Sequence, residues 1–219
     1  MGVAAFVIHA KRSAKGLKAI LGDDIEGILH SDRWHVYLQL PEDRRQLCWA
    51  HLKRDFQKIV DRGGPSEFVG RRGLRIVRES FAAWRAFQAG TIPRERLREL
   101  LAPVEHRLGQ TLLEGAFGDD PTVAKFCENP IQLEPALWTF ARVEGVEPTN
   151  NFMERLVRRA VLWCRRRFGC NSEAGCRFVE RILSVVQTCR LQKTNALEFL
   201  IRALEAHRTG DGGPRLLPR

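Results

Sequence analysis

Asp32 is the first residue whose position in the sequence suggests chemistry. It directly follows the apolar run Gly27–Ser31, which predicts a short buried strand. Open α/β sheets carry their catalytic groups at the carboxyl ends of strands, so a carboxylate at this point could act there. On position alone a structural role is favoured, because Ser31 or Asp32 could equally cap the helical turn that follows.

Glu154 is the second acidic candidate, and it lies on a predicted helix over about residues 150–164. The apolar side chains of this helix share one face: Phe152, Met153, Leu156, Val157, Ala160, Val161 and Cys164. At about 100° per residue, Glu154 falls on the margin of that face. A carboxylate there can enter a cleft while its helix stays anchored in the core. The alternative is a capping box between Asn151 and Glu154, which taken alone is favoured.

Cys48 and His51 stand one helical turn apart and form a third candidate pair. As a metal pair they lack further ligands at short spacing, so a structural role is favoured. A cysteine-dependent enzyme built on the two residues would need a third residue to orient the histidine, and none is identified. The six cysteines include no C-x-x-C pair, which predicts reduced thiols, several of them in the core.

The elements that must position these residues follow from the apolar patterning. Strands are predicted at Val3–Ala10, Gly27–Ser31 and Arg45–Trp49, with helices at Ser13–Ile20 and Ala50–Asp61 between and after them. This alternation is typical of an α/β sheet.

Helical patterning dominates the rest of the chain. Residues 63–145 read as a helical insertion punctuated by proline, and helices are predicted over about 150–164, 172–191 and 195–208. The predicted division is therefore a sheet-bearing part at 1–62, the insertion at 63–145, and the C-terminal helices at 146–208. A tail at 209–219 is predicted to be disordered.

The charge of the chain is unevenly distributed. Residues 150–219 hold 14 Lys and Arg against 6 Asp and Glu, whereas residues 1–149 hold 22 against 20. Nearly all of the net charge of +10 therefore lies in the last third, which favours a polyanionic partner such as nucleic acid. The alternative is a solvated basic face with no specific ligand.

Composition restricts the class of protein. Hydrophobic residues make up 44% of the chain and charged residues 28%, which is typical of a globular protein. A membrane span needs about 18 consecutive apolar residues, and no such run is present. The N-terminus also lacks the features of a secretory signal, so a cytoplasmic location without a membrane is predicted.

A family resemblance is carried by four sequence blocks that follow one another along the chain. They are SDRWHVY, RRQLCWAHLKRDF, EPTNNFMERLVRRAV and RRRFGCNSEAGCRFVERILSVVQTCRLQKTNALEFL. The series resembles transposases of the insertion-sequence-66 family, from Phe6 to about Leu204. The resemblance implies an α/β fold: an incomplete RNase H-like core with a mainly helical insertion and C-terminal helices. It also implies metal-dependent cleavage and joining of DNA at the element ends and the target.

The same resemblance assigns roles to residues. It makes Asp32 and Glu154 the second and third catalytic acids, which bind Mg²⁺ or Mn²⁺, and Cys48 and His51 part of a C-x-x-H signature. The DNA-contact candidates are Asn150, Asn151, Arg155, Arg158, Arg165, Arg166 and Arg167. A homo-oligomer on DNA is expected.

One departure from the family pattern limits the expected activity. The first acid would precede the predicted strand at Val3–Ala10, while Asp23 and Asp24 lie in a connection. We therefore expect a truncated transposase fragment that is inactive alone unless a complementary chain supplies the missing acid. The alternatives are a catalytically dead DNA-binding or regulatory module and a non-functional remnant.

Overall fold

The computed structural model describes residues 2–11, 13–22, 26–166, 169–170 and 172–217. The chain divides into two units, one of residues 25–152 and one that combines residues 1–24 with residues 153–219. Asp23 and Asp24 lie outside the described residues. The predicted division into four parts has different boundaries and stays a prediction.

The structure is mostly helical, with one small sheet. In the described ranges the helices are α1 Ala14–Leu21, α2 Trp49–Arg62, α3 Glu67–Gln88, α4 Arg94–Ala116, α5 Pro121–Gln132, α6 Glu134–Leu137, α7 Thr139–Arg142, α8 Asn151–Arg166, α9 Glu173–Leu191 and α10 Ala196–Thr209. The strands are β1 Leu29–Ser31 and β2 Arg45–Leu47, and 3₁₀ turns at His35–Gln39 and Glu42–Arg44 lie between them. The predicted helical character of residues 63–145 and of the C-terminal region is thus confirmed.

In the 25–152 unit, β1 and β2 pair in parallel, with Leu29 opposite Arg45. The far side of β2 is covered by α6 and α7. Gln46 donates from Nε2 to the carbonyl of Leu137 at 3.1 Å and accepts from the N–H of Phe140 at 2.6 Å. Thr139 Oγ1 donates to the carbonyl of Arg45 at 2.6 Å. Side chains and helix ends thus satisfy polar groups at this edge, where a third strand would otherwise pair.

Helices α2 to α5 pack against one another in sequence order, α2 on α3, α3 on α4 and α4 on α5. Helix α2 buries Leu52, Phe56 and Ile59, which recur at the spacing of one helical face. Gly73 of α3 lies against Phe56, and a Cβ built on Gly73 would stand 2.4 Å from the ring. The absence of a side chain at Gly73 therefore sets how closely α3 approaches α2.

The second unit brings both ends of the chain together. Three alternate N–H groups of the N-terminal segment donate to side chains one turn apart on α9: Ala4 to Thr188 at 3.0 Å, Phe6 to Ser184 at 2.9 Å and Ile8 to Glu180 at 2.6 Å. The predicted strand at Val3–Ala10 is wrong, because these N–H groups bond to helix side chains and the described residues of the segment join no sheet.

Helix α8 differs from the sequence prediction in its environment. Leu156 is buried, but Met153, Val157 and Val161 are 40%, 47% and 43% exposed. The predicted apolar face is present, yet most of it is not anchored in a core. The described residues of this unit bury few large apolar side chains that could cover it.

Candidate active site

Asp32 follows β1 directly, as the sequence predicts. Its Oδ1 accepts a hydrogen bond from the N–H of Trp34 at 2.9 Å. The carboxylate is half-buried. The predicted cap by Ser31 or Asp32 is wrong, because Trp34 is the N-cap of the 3₁₀ turn at His35–Gln39 and makes no side-chain cap bond. The bond from Trp34 to Asp32 instead closes an Asx turn, which fixes the orientation of the Asp32 side chain at the end of the strand.

Arg45 of β2 is fully buried, and sequence reasoning missed its importance. Its Nη2 lies 3.5 Å from Ser31 Oγ, while Nε and Nη1 have no hydrogen-bond partner in the described part of the chain. Burial lowers the pKa of Arg45, and the negative charges of Glu42 and Asp32 oppose that shift. A guanidinium stays protonated even so, which places a buried positive charge in the field of Asp32.

Cys48 connects the end of β1 to the segment that precedes α8. Its N–H donates to the carbonyl of Ser31 at 3.0 Å, and its Sγ accepts from the N–H of Asn150 at 3.3 Å. The next residue adds a second link, because the N–H of Trp49 donates to the carbonyl of Pro148 at 3.0 Å. Cys48 itself is buried. The bonds of this buried cysteine to Ser31 and Asn150 are consistent with the structural role favoured for it.

His30 forms a further link to the same segment. Burial lowers its pKa, while the negative charge of Glu147 and a hydrogen bond to the backbone of Thr149 oppose the shift. Residues 147–150 thus lie against both β1 and the start of α2. Sequence spacing could not have indicated this contact, because the partners are more than a hundred positions apart.

Glu154 lies in the first turn of α8 and is half-buried. The helix includes Asn151, so Asn150 is the residue that precedes it. The predicted capping box of Asn151 and Glu154 stays a prediction. His51 is half-buried on α2, and its N–H donates to the carbonyl of Cys48 at 3.1 Å.

The model of the family described as "Transposase IS66 family" matches residues 1–177. The chain belongs to the IS66 transposase family. An uncharacterized protein of Sinorhizobium fredii, y4qI, is 22% identical over 192 residues, covering 81% of this chain and 35% of the relative. The chain therefore spans about a third of that relative's length. No solved structure matches.

The basic residues of α8 in this IS66 family member are open to solvent. Arg155, Arg158, Arg165 and Arg166 are exposed, and in the described ranges they have no ion-pair partner. Asn151 is exposed and Asn150 half-buried. Arg159, by contrast, donates to Gln187 on α9 at 3.3 Å. Arg167 lies outside the described residues.

The cysteines of the family member are free thiols, as predicted. Cys48, Cys127 and Cys189 are buried, and burial raises the pKa of Cys127 to about 11. Among the described residues, no helix is both long and apolar enough to cross a membrane.

Proposed function

We propose that this chain carries two carboxylates of a transposase active site, Asp32 and Glu154, which bind divalent cations and act on DNA. The observation that supports this most is the position of Cys48, hydrogen-bonded to both Ser31 and Asn150. Asp32 comes one residue after Ser31. Glu154 comes four residues after Asn150 in the sequence. Each acid thus follows closely, along the chain, a residue that is hydrogen-bonded to Cys48.

The chemistry of the donors fits the metal proposed. Carboxylate oxygens are hard ligands, which suit Mg²⁺ or Mn²⁺ rather than zinc. A bound pair of such ions would activate the attacking oxygen and stabilise the departing one at a phosphodiester. Asp32 and Glu154 would hold the ions and would not act as nucleophiles. The Trp34 N–H keeps Asp32 in one orientation, and the buried Arg45 offsets its negative charge.

The wider proposal follows the family. A parallel strand pair with an acid at its carboxyl end is compatible with an RNase H-like core. DNA at the element ends and target would be the substrate, held by a homo-oligomer in the cytoplasm. Asn150, Asn151 and the exposed arginines of α8 would contact it, together with Arg167. We assign no third carboxylate among the described residues, so we expect the chain alone to cleave DNA poorly. A complementary chain could supply that acid.

Manganese titration tests the site directly. Asp32→Asn and Glu154→Gln should each weaken Mn²⁺ binding by roughly tenfold or more, because a site of few ligands depends on the charge of each. Glu173→Gln is a matched control, since Glu173 is an exposed acid paired with Arg177. Unchanged Mn²⁺ affinity in both test variants would contradict the site. Strong Mn²⁺-dependent DNA cleavage that is lost in Glu154→Gln would support the site and refute the expected inactivity.

Cys48 gives an independent test of position. Cys48→Ala removes the acceptor for the Asn150 N–H, whereas Cys48→Ser keeps an acceptor there. We expect Cys48→Ala to weaken Mn²⁺ binding and Cys48→Ser to retain most of it. Because Cys48 holds two segments and has no assigned metal contact, urea unfolding must accompany the titration. Equal Mn²⁺ affinities for the two variants would remove the main support for the proposal.

A second candidate is a DNA-binding module without catalysis, favoured by the exposed, unpaired arginines of α8. It predicts salt-sensitive DNA binding that Asp32→Asn and Glu154→Gln leave unchanged, together with no specific Mn²⁺ site.

A further inference from the structure

A groove runs between α2 and α3 in the 25–152 unit. It consists of two cavities of about 850 and 460 Å³, and both are lined by Lys53 and Arg78. The larger cavity ends at residues 147–149 and Asn151, the segment that leads into α8. Its floor includes Trp84, and the smaller cavity extends along Gln57 and Arg75.

The rim of this groove is positively charged. Lys53, Arg75, Arg78 and Arg85 are exposed, and none has an ion-pair partner in the part of the chain that the structure describes. At about 100° per residue, the three arginines lie within about 80° of one another around α3. Arg75 and Arg85 are ten residues apart, which is about 15 Å along the axis. The unpaired cations therefore follow a line.

The acids near the groove do not neutralise this line. Glu79 forms an ion pair with Arg107 of α4, and Glu67 forms one with Arg71. Glu147, at the end of the larger cavity, lies near His30. The net charge of residues 1–149 does not indicate this groove, because the 22 basic residues there are nearly balanced by 20 acidic ones. The four cations of the groove form no ion pair in the described ranges, and a count of charges along the sequence does not reveal this.

We propose that the α2–α3 groove binds the phosphate backbone of a DNA strand and leads it toward the start of α8. The proposal rests on DNA being the substrate, and it adds a surface outside the basic last third of the sequence. Each strand of duplex DNA carries one phosphate for every 3.4 Å of the duplex axis, so a 15 Å line of cations parallel to that axis spans about four of them. The apolar floor of the groove suits the sugars of such a strand, and its cationic rim suits the phosphates. Contacts to sugars and phosphates do not depend on the base sequence.

Salt-dependent DNA binding tests this groove. The probe is a short fluorescein-labelled duplex of arbitrary sequence, and the test variant of the full chain is Arg75→Gln/Arg78→Gln/Arg85→Gln. The matched control, Lys58→Gln/Arg96→Gln/Lys125→Gln, removes the same charge from exposed positions outside the groove. Loss of three phosphate contacts should reduce the slope of log K against log salt by about 2.7 and the affinity on the order of a hundredfold at about 0.1 M salt.

The outcomes separate the two proposals. A test variant with the affinity and salt slope of the control overturns the groove and leaves the carboxylate site intact. Absence of any DNA binding by the unmodified chain overturns both the groove and the proposed function. If polyglutamate binds as tightly as the duplex and is equally weakened by the test variant, the groove binds acidic peptide, and the DNA proposal fails. Thermal unfolding of both variants should stay close to that of the parent, because all six side chains are exposed and the ion pairs of Lys58 with Asp55 and of Arg96 with Glu99 lie at the surface.

Discussion

Asp32, Arg45 and Cys48 lie close together along the chain, yet only two of them could be recognised from sequence. The position of Asp32 after a strand follows from the apolar run before it, and the structure places it there. The burial of Arg45 had no sequence signal, because an arginine in a short strand ordinarily points to solvent. The bond from Asn150 to Cys48 spans 102 positions and depends on tertiary packing.

His30 predicts a pH dependence of stability at the residue scale. Its pKa is below the ordinary 6.5 in the folded chain because of burial, so the unfolded chain binds the proton more readily. The contribution to stability is present above pH 6.5 and is lost as the pH falls through the lowered folded value. We expect His30→Gln to flatten the decrease in unfolding free energy between about pH 7.5 and 5.5.

Urea unfolding of both proteins across that pH range measures the effect. The difference between the two curves isolates His30 from other groups that titrate nearby. Parallel curves would contradict the assignment, because they would mean that His30 binds its proton equally in the folded and unfolded chains.

At the scale of elements, apolar periodicity predicted the long helices well. The spacing in residues 172–191 and 195–208 gave α9 and α10 nearly to the residue. It failed at Val3–Ala10, because a short β-branched run does not reveal whether a strand or a helix will lie beside it. Side-chain acceptors on α9 take the hydrogen bonds that a neighbouring strand would otherwise provide.

The contact between α2 and α3 makes a prediction at the same scale. Gly73→Ala would place a methyl group 2.4 Å from the Phe56 ring, so the helices must separate. Overpacking of this kind costs about 1–3 kcal/mol of unfolding free energy. Gly109→Ala in α4 is the control, because its Cβ would meet nothing closer than 3.5 Å.

We expect the control to gain up to about 1 kcal/mol, since alanine is the better helix former. Urea denaturation of the two variants and the parent measures the unfolding free energies, which should fall for Gly73→Ala and rise for Gly109→Ala. A Gly73→Ala chain as stable as the parent would show that the α2–α3 interface is loose.

On the scale of the whole molecule, the exposed apolar face of α8 leads us to expect association between molecules in solution. Contiguous apolar surface promotes association between molecules, since its burial releases roughly 25 cal/mol for each Å². We expect the purified chain to self-associate with rising concentration, and Val157→Lys/Val161→Lys to reduce that association. Leu113→Lys on α4 is the control, because Leu113 is similarly exposed in the other unit.

Sedimentation velocity at several protein concentrations gives the measurement. Equal association of the parent and the α8 variant would mean that other surfaces dominate. The amphipathic face itself could be read from sequence, but its exposure could not, because periodicity does not reveal whether enough apolar partners lie nearby.

The bonds between the N-terminal segment and α9 also have a consequence for a nicked chain. A single protease cut at Gly27 would yield a short and a long piece with no covalent connection. The bonds from Ala4, Phe6 and Ile8 would hold the short piece in place. Such a sample should elute as one species in gel filtration and separate into two bands only under denaturing electrophoresis. The two pieces, when expressed as separate polypeptides, should then also associate with each other.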